Sequence, residues 1–148
     1  MSSVLHVYAG CVLVLLCKMW AVSCYQGFLR IRRRAFTNPE DAGFFQRDAH
    51  PQELPQVSRA AKAWINDLEN IPLFFVLGGL CLALETTSVI TAWLCAAFTV
   101  ARVVHTVMYL GGRQPWRTVA YGVGMMCLLG MAGMVGFELL PALGTAGA

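Results

Sequence analysis

The strongest constraint on this chain is a set of four apolar stretches, three of them long enough to cross a bilayer as a helix. The first runs from Val4 to Gly27, and about 20 apolar residues suffice for one crossing. It is too long for a signal-peptide core, and no small-residue cleavage site follows it. Ile71 to Leu84 is 14 residues, short for a span. Val57 to Asn70 before it holds no helix breaker, so a helix can start in polar sequence and continue inward, with Pro72 expected to kink it. The third run is Ser88 to Leu110, interrupted by Arg102 and His105, and the fourth is Thr118 to Leu143. Charged residues are only 13% of the 148, about half the share of an ordinary soluble domain. A disordered chain, a disulfide-rich secreted scaffold and a soluble enzyme are excluded. The expectation is one all-α, membrane-spanning four-helix domain over 1–148. Its helices lie at about 4–30, 57–84, 88–110 and 117–141, and a polar loop covers about 31–56.

Loop charge orients the bundle. Arg30, Arg32, Arg33, Arg34, Arg47, Arg59 and Lys62 fall between the first two spans, and Arg113 and Arg117 between the last two. The Glu85 to Thr87 turn and both termini carry neither Lys nor Arg. By the positive-inside rule both basic loops face the cytoplasm. The net charge of +3 therefore reflects loop placement, and no nucleic-acid partner is expected. Cys11, Cys17, Cys24, Cys81, Cys95 and Cys127 all sit in apolar runs without a C-x-x-C pair. They read as core packing, with no metal. Ala120/Gly124 and Ala132/Gly136 have the spacing that lets helices approach closely in lipid.

Polar residues inside spans are costly and usually face an interior or a wet cavity. Arg102, His105, Thr106 and Tyr109 share one stripe at i, i+3, i+4, i+7. Arg59, Lys62, Asn66 and Glu69 form another, and Arg117, Thr118 and Tyr121 open the fourth span. Arg30 closes the first span at the same, cytoplasmic end. Simpler readings stand beside this one. Arg32 to Arg34 suit a stop-transfer cluster, Tyr109 and Trp116 an interfacial belt, and Arg102 a buried ion pair with Glu69. Lys18 lies deep in the first span and has no role legible from spacing. Three stripes at one depth favour a site for a small zwitterion with several carboxylates, because Arg forks onto carboxylates and Glu takes an ammonium. Haem does not fit, since His6, His50 and His105 share no depth.

The segments Arg30 to Asp41 (RIRRRAFTNPED), Asn66 to Pro72 (NDLENIP) and Ala101 to Leu110 (ARVVHTVMYL) resemble the MAPEG family, the membrane-associated proteins of eicosanoid and glutathione metabolism. The resemblance covers most of the chain, in order. It points to the branch of microsomal glutathione transferase and microsomal prostaglandin E synthase. The leukotriene C synthase branch has a different second-helix motif. It implies a homotrimer binding glutathione between subunits at the cytoplasmic end, and lipophilic substrates arriving through membrane lipid. By position, Arg30, Asn66, Glu69, His105, Tyr109, Arg117, Thr118 and Tyr121 match the family's glutathione-contacting residues. Arg117 matches the arginine assigned to the glutathione sulfur, with Thr118 beside it as a hydroxyl donor. Asp41 matches an aspartate proposed to assist in the prostaglandin synthase. Arg102 and Lys62 complete the expected binding set.

The chain departs from that pattern at two positions. Ile65 stands where prostaglandin synthases have Arg, and Trp64 where both groups commonly have His. Lys62 is the replacement cation, and Ile65 with Asn66 to Ile71 is more like the general transferase. The implied activity is thiolate formation on glutathione for attack on lipophilic electrophiles or hydroperoxides. Prostaglandin-type isomerisation is the alternative, and a non-catalytic binder and a small transporter are the rivals. The implied location is the endoplasmic reticulum in a eukaryote or the inner membrane in a bacterium.

Overall fold

A computed structural model describes residues 2–145, with the side chains of Ser2 and residues 141–145 left aside. Met1 and residues 146–148, the ends of the expected domain, lie outside the described residues. Five helices follow in order: α1 (Ser2–Arg33), α2 (Pro39–Phe44), α3 (Pro55–Ala83), α4 (Ser88–Leu110) and α5 (Gln114–Thr145). Four of them are long and apolar enough to cross a membrane. At about 1.5 Å per residue even the 23 residues of α4 reach about 34 Å, past a hydrocarbon core of about 30 Å. The chain is an integral, multi-pass membrane protein.

Each helix follows from its own sequence. α3 begins with Pro55 in its first turn, where the missing N–H has no partner to lose. It continues through Pro72 to Ala83 as one helix, so the polar start and the short apolar run belong together. The region expected as plain loop contains α2. Asn38, Pro39, Glu40 and Asp41 start it with an N-terminal proline and first-turn acids, which favour a helix N-terminus.

Packing leaves the apolar surface outward, as lipid allows. Trp93 and Phe137 are each 73% exposed, which a soluble fold of this size would not tolerate as part of so wide an apolar surface. Inside, Leu15, Ile71, Phe74, Phe98 and Met131 form the core, with the Phe74 and Phe98 rings stacked at 4.6 Å. Cys11, Cys81, Cys95 and Cys127 are buried as core residues. Cys17 and Cys24 depart from that expectation, since they are exposed on the outer face of α1. At Gly78 a Cβ would meet the Tyr8 ring at 2.6 Å. The glycine thus lets the Tyr8 ring approach α3 closely and donate its hydroxyl to the Phe75 carbonyl at 2.8 Å.

α1 packs on α3 and α4, and α5 packs on α4 and α3; α1 and α5 do not meet among the described residues. α3 and α4 therefore form the central pair. The polar ends of α3, α4 and α5 converge on one side of that pair.

Candidate functional site

α5 begins only three residues after α4 ends. Gly112, at φ +68, makes this reversal possible, a conformation that costs glycine little. The tight turn brings the first residues of α5 back over the last turn of α4. The Arg117 guanidinium lies 4.6 Å from the centre of the Tyr109 ring, a cation–π contact that fixes the charge in place. The His105 ring sits 5.6 Å from Tyr109 and 6.2 Å from Tyr121.

Two adjoining cavities result. One, of about 240 Å³, is lined by Asn66, His105, Tyr109, Arg117, Thr118 and Tyr121. The other, of about 360 Å³, is lined by Pro55, Ser58, Arg59, Lys62, Tyr109 and Arg117. Tyr109 and Arg117 belong to both, so the two make one groove. Its charged lining is Arg59, Lys62 and Arg117, with no carboxylate. Arg59 donates to the Leu110 carbonyl at 3.3 Å, which ties α3 to the C-terminal end of α4. His105 is buried, and its Nδ1 has no hydrogen-bond partner. A buried polar atom left open beside a cavity is costly unless a ligand or water meets it.

Beneath the groove lies a buried ionic network. Arg102, 1% exposed, donates through Nη2 to Asn66 Oδ1 and Asp67 Oδ1, both at 2.7 Å. Lys18 of α1 reaches the same Asp67 oxygen at 2.6 Å. Lys18 also donates to Thr106 Oγ1 at 2.9 Å and to the Arg102 carbonyl at 3.4 Å.

The expected site residues divide accordingly. Asn66, His105, Tyr109, Arg117, Thr118, Tyr121 and Lys62 line the groove. Arg102 lies behind it, reaching the groove through Asn66. Its expected pairing with Glu69 is replaced by Asp67, because Asp67 is fully buried on the α1/α4 side while Glu69 is exposed. Glu69 stands at the edge, 3.5 Å from Asn66 Nδ2. Arg30 pairs with Glu53, at 2.9 Å from Nε and 2.5 Å from Nη2, and lies outside the groove. So does Asp41, exposed on α2 and 3.4 Å from Asn38 Nδ2. Thr106 turns from its stripe toward Lys18. Spacing alone reveals neither the burial of Asp67 nor the partner of Lys18. The available signal was that a lysine deep in an apolar span needs a buried acid, and α3 carries one.

Comparison with known proteins agrees with this architecture. A model of the MAPEG family matches residues 8–137. The chain is 36% identical over 133 residues to the prostaglandin E synthase of Homo sapiens, covering 88% of this chain and 87% of that protein. It is 34% identical over 138 residues to the prostaglandin E synthase of Bos taurus, covering 93% and 90%. To microsomal glutathione S-transferase 1 of Sus scrofa it is 34% identical over 137 residues, covering 88% of each. The matches span all four membrane helices, and the chain belongs to the MAPEG family.

Proposed function

We propose that the chain is a glutathione-dependent membrane transferase whose groove holds glutathione with its thiol ionised beside Arg117. The observation that carries this reading is the cationic groove itself. Arg117 sits half-buried in the first turn of α5 and faces Tyr109, with Thr118 and Tyr121 on the same cavity. The donor set suits a peptide with two carboxylates. Arg59 and Lys62 offer cations at one end, and Glu69 at the rim offers an acceptor for an ammonium. His105 Nδ1 is a buried polar atom awaiting a partner.

Glutathione supplies a thiol that, once ionised, forms a sulfur–carbon bond with an electrophile. The protein's task is to make that ionisation favourable. A free thiol with a pKa near 8.5 is only a few per cent thiolate at neutral pH. Arg117 opposes the negative sulfur directly, and the helix N-terminus beneath it adds a partial positive charge. Thr118 and Tyr121 bring hydroxyl donors. The proton leaves to water at the open, polar end. Val107, Val119 and Val123 are exposed apolar neighbours of the groove residues, so lipophilic substrates can arrive from the bilayer.

Arg30 and Asp41 lie outside the groove of one subunit. In the homotrimer we propose, with sites between subunits, a neighbouring copy brings them to it. We place the groove on the cytoplasmic side of the endoplasmic reticulum or of a bacterial inner membrane, following the basic loops. A second reading, glutathione-dependent isomerisation of a prostaglandin endoperoxide, is favoured by the relatives named prostaglandin E synthase. One panel on purified protein with glutathione tests both: aryl halide conjugation, lipid hydroperoxide reduction and endoperoxide isomerisation. Conjugation or peroxide reduction supports the transferase, and isomerisation alone supports the second reading. Glutathione binding with none of the three reactions defeats both and leaves a non-catalytic binder.

A further inference from the structure

Lys18 has no place in the groove, yet its side chain is 9% exposed in the middle of a membrane helix. An ammonium there is costly and needs a physical reason. The Asp67 carboxylate beside it favours the charged form. Lys18 Nζ faces three acceptors: Asp67 Oδ1, Thr106 Oγ1 and the Arg102 carbonyl. An ammonium has three N–H donors, one for each acceptor.

The charge balance around Asp67 is uneven. Lys18 and Arg102 both contact its Oδ1, at 2.6 and 2.7 Å, while Oδ2 has no partner. Two cations against one carboxylate leave one positive charge. Asp67 is the one buried carboxylate among the described residues. The other polar groups nearby do not cancel the surplus. Asn66 on α3 and His105 and Thr106 on α4 add no negative charge, Glu69 on α3 is exposed, and α5 contributes the cation Arg117 and the Tyr121 hydroxyl. A purely structural pair would need one cation, and the second makes the buried balance worse. The surplus has a route to the groove, because the Arg102 Nη2 that holds Asp67 also holds Asn66 Oδ1 at 2.7 Å, and Asn66 lines the cavity.

We infer that Lys18 is a charge-setting residue for the groove: with Arg102 it overcompensates Asp67, and the remaining positive charge favours the ionised form of the thiol bound there. This rests on the reading of the groove as a thiol-activating site. Lys18 touches no ligand and acts through Asp67, Arg102 and Asn66. The bound thiol gives its proton to water, and the anion that remains completes the buried charge balance.

The test uses full-length protein in lipid nanodiscs with glutathione as the probe. Thiolate is followed by its ultraviolet absorbance across pH, and thermal unfolding is followed without glutathione. Lys18→Met removes the surplus, and Asp67→Asn doubles it, so the two move the thiolate midpoint in opposite directions. Lys18→Met should raise it by about one pH unit, a tenfold loss of thiolate well below the midpoint, given the reach of a unit charge through protein. Asp67→Asn should lower it, although it breaks the same network. Lys18→Arg should stay near the parent. A merely structural Lys18 predicts lower unfolding temperatures with the midpoint unmoved in both variants, and that result overturns the inference. If one variant does not fold, the direction of shift in the other decides. No thiolate signal in the parent protein defeats the groove reading first, and this inference with it.

Discussion

Replacing Arg117 with Ala isolates the contribution of one charge to thiol activation. Arg117 is half-buried and rests 4.6 Å from the Tyr109 ring. A unit charge about 4 Å from a thiolate contributes about 1 kcal/mol in bulk water and about 4 kcal/mol near a protein surface. A half-exposed guanidinium falls between them, at about 2 to 3 kcal/mol. Losing that costs about 30- to 150-fold in turnover near neutral pH. The loss should fall on turnover more than on glutathione affinity, because the contact is stronger to thiolate than to thiol. Arg117→Lys should recover part of it, keeping the charge but losing the planar group that stacks on Tyr109. The sign with pH follows. Without Arg117 the bound thiol ionises at higher pH, so the deficit is largest at low pH and shrinks as pH rises through the new midpoint. The assay is steady-state conjugation over pH 6 to 9 at several glutathione concentrations. Normal turnover at saturating glutathione, with lower expression as the only defect, would make Arg117 an interface anchor and refute the reasoning.

Glu69→Ala should weaken glutathione binding by several-fold with little change in turnover at saturation, as isothermal titration would show; an equal loss in both places Glu69 with Arg117. Gly78→Ala puts a Cβ 2.6 Å from the Tyr8 ring and should destabilise the bundle by about 1 to 3 kcal/mol. Its thermal midpoint should therefore fall, and Tyr8→Ala in the same chain should restore part of it. Ser2→Cys should react with an impermeant maleimide only from the side opposite the basic loops, and labelling from the cytoplasm reverses the orientation. Native mass spectrometry in detergent should find trimers, whereas monomers that bind glutathione tightly would exclude sites between subunits.

The four spans were legible because bilayer thickness sets a minimum apolar length, and even the short run ending at Leu84 resolved once its polar lead-in counted as helix. The groove was legible where the stripe rule applies. Asn66, His105, Tyr109, Arg117, Thr118 and Tyr121 reach one cavity because each lies on the facing side of its own helix. Asp67 falls off the stripe because it adjoins Asn66 in sequence, yet a step of about 100° around the helix turns it toward α1 and α4. Its pairing with Lys18 joins helices far apart in sequence, which no local period reveals. An arginine within a span needs an acid, and for Arg102 that acid is Asp67, where spacing points to Glu69. Burial chose between Asp67 and Glu69, and burial depends on how three helices pack. Arg30 followed its loop instead of its helix, since Glu53 just before α3 returns to meet it.

The most direct test of the central claim is the ultraviolet difference spectrum of the purified protein titrated with glutathione at neutral pH. The account predicts a saturable thiolate band, absent with S-methylglutathione and strongly reduced in Arg117→Ala at the same pH. Saturable glutathione binding, shown by calorimetry, with no thiolate band at any pH up to the free thiol's own ionisation would contradict it.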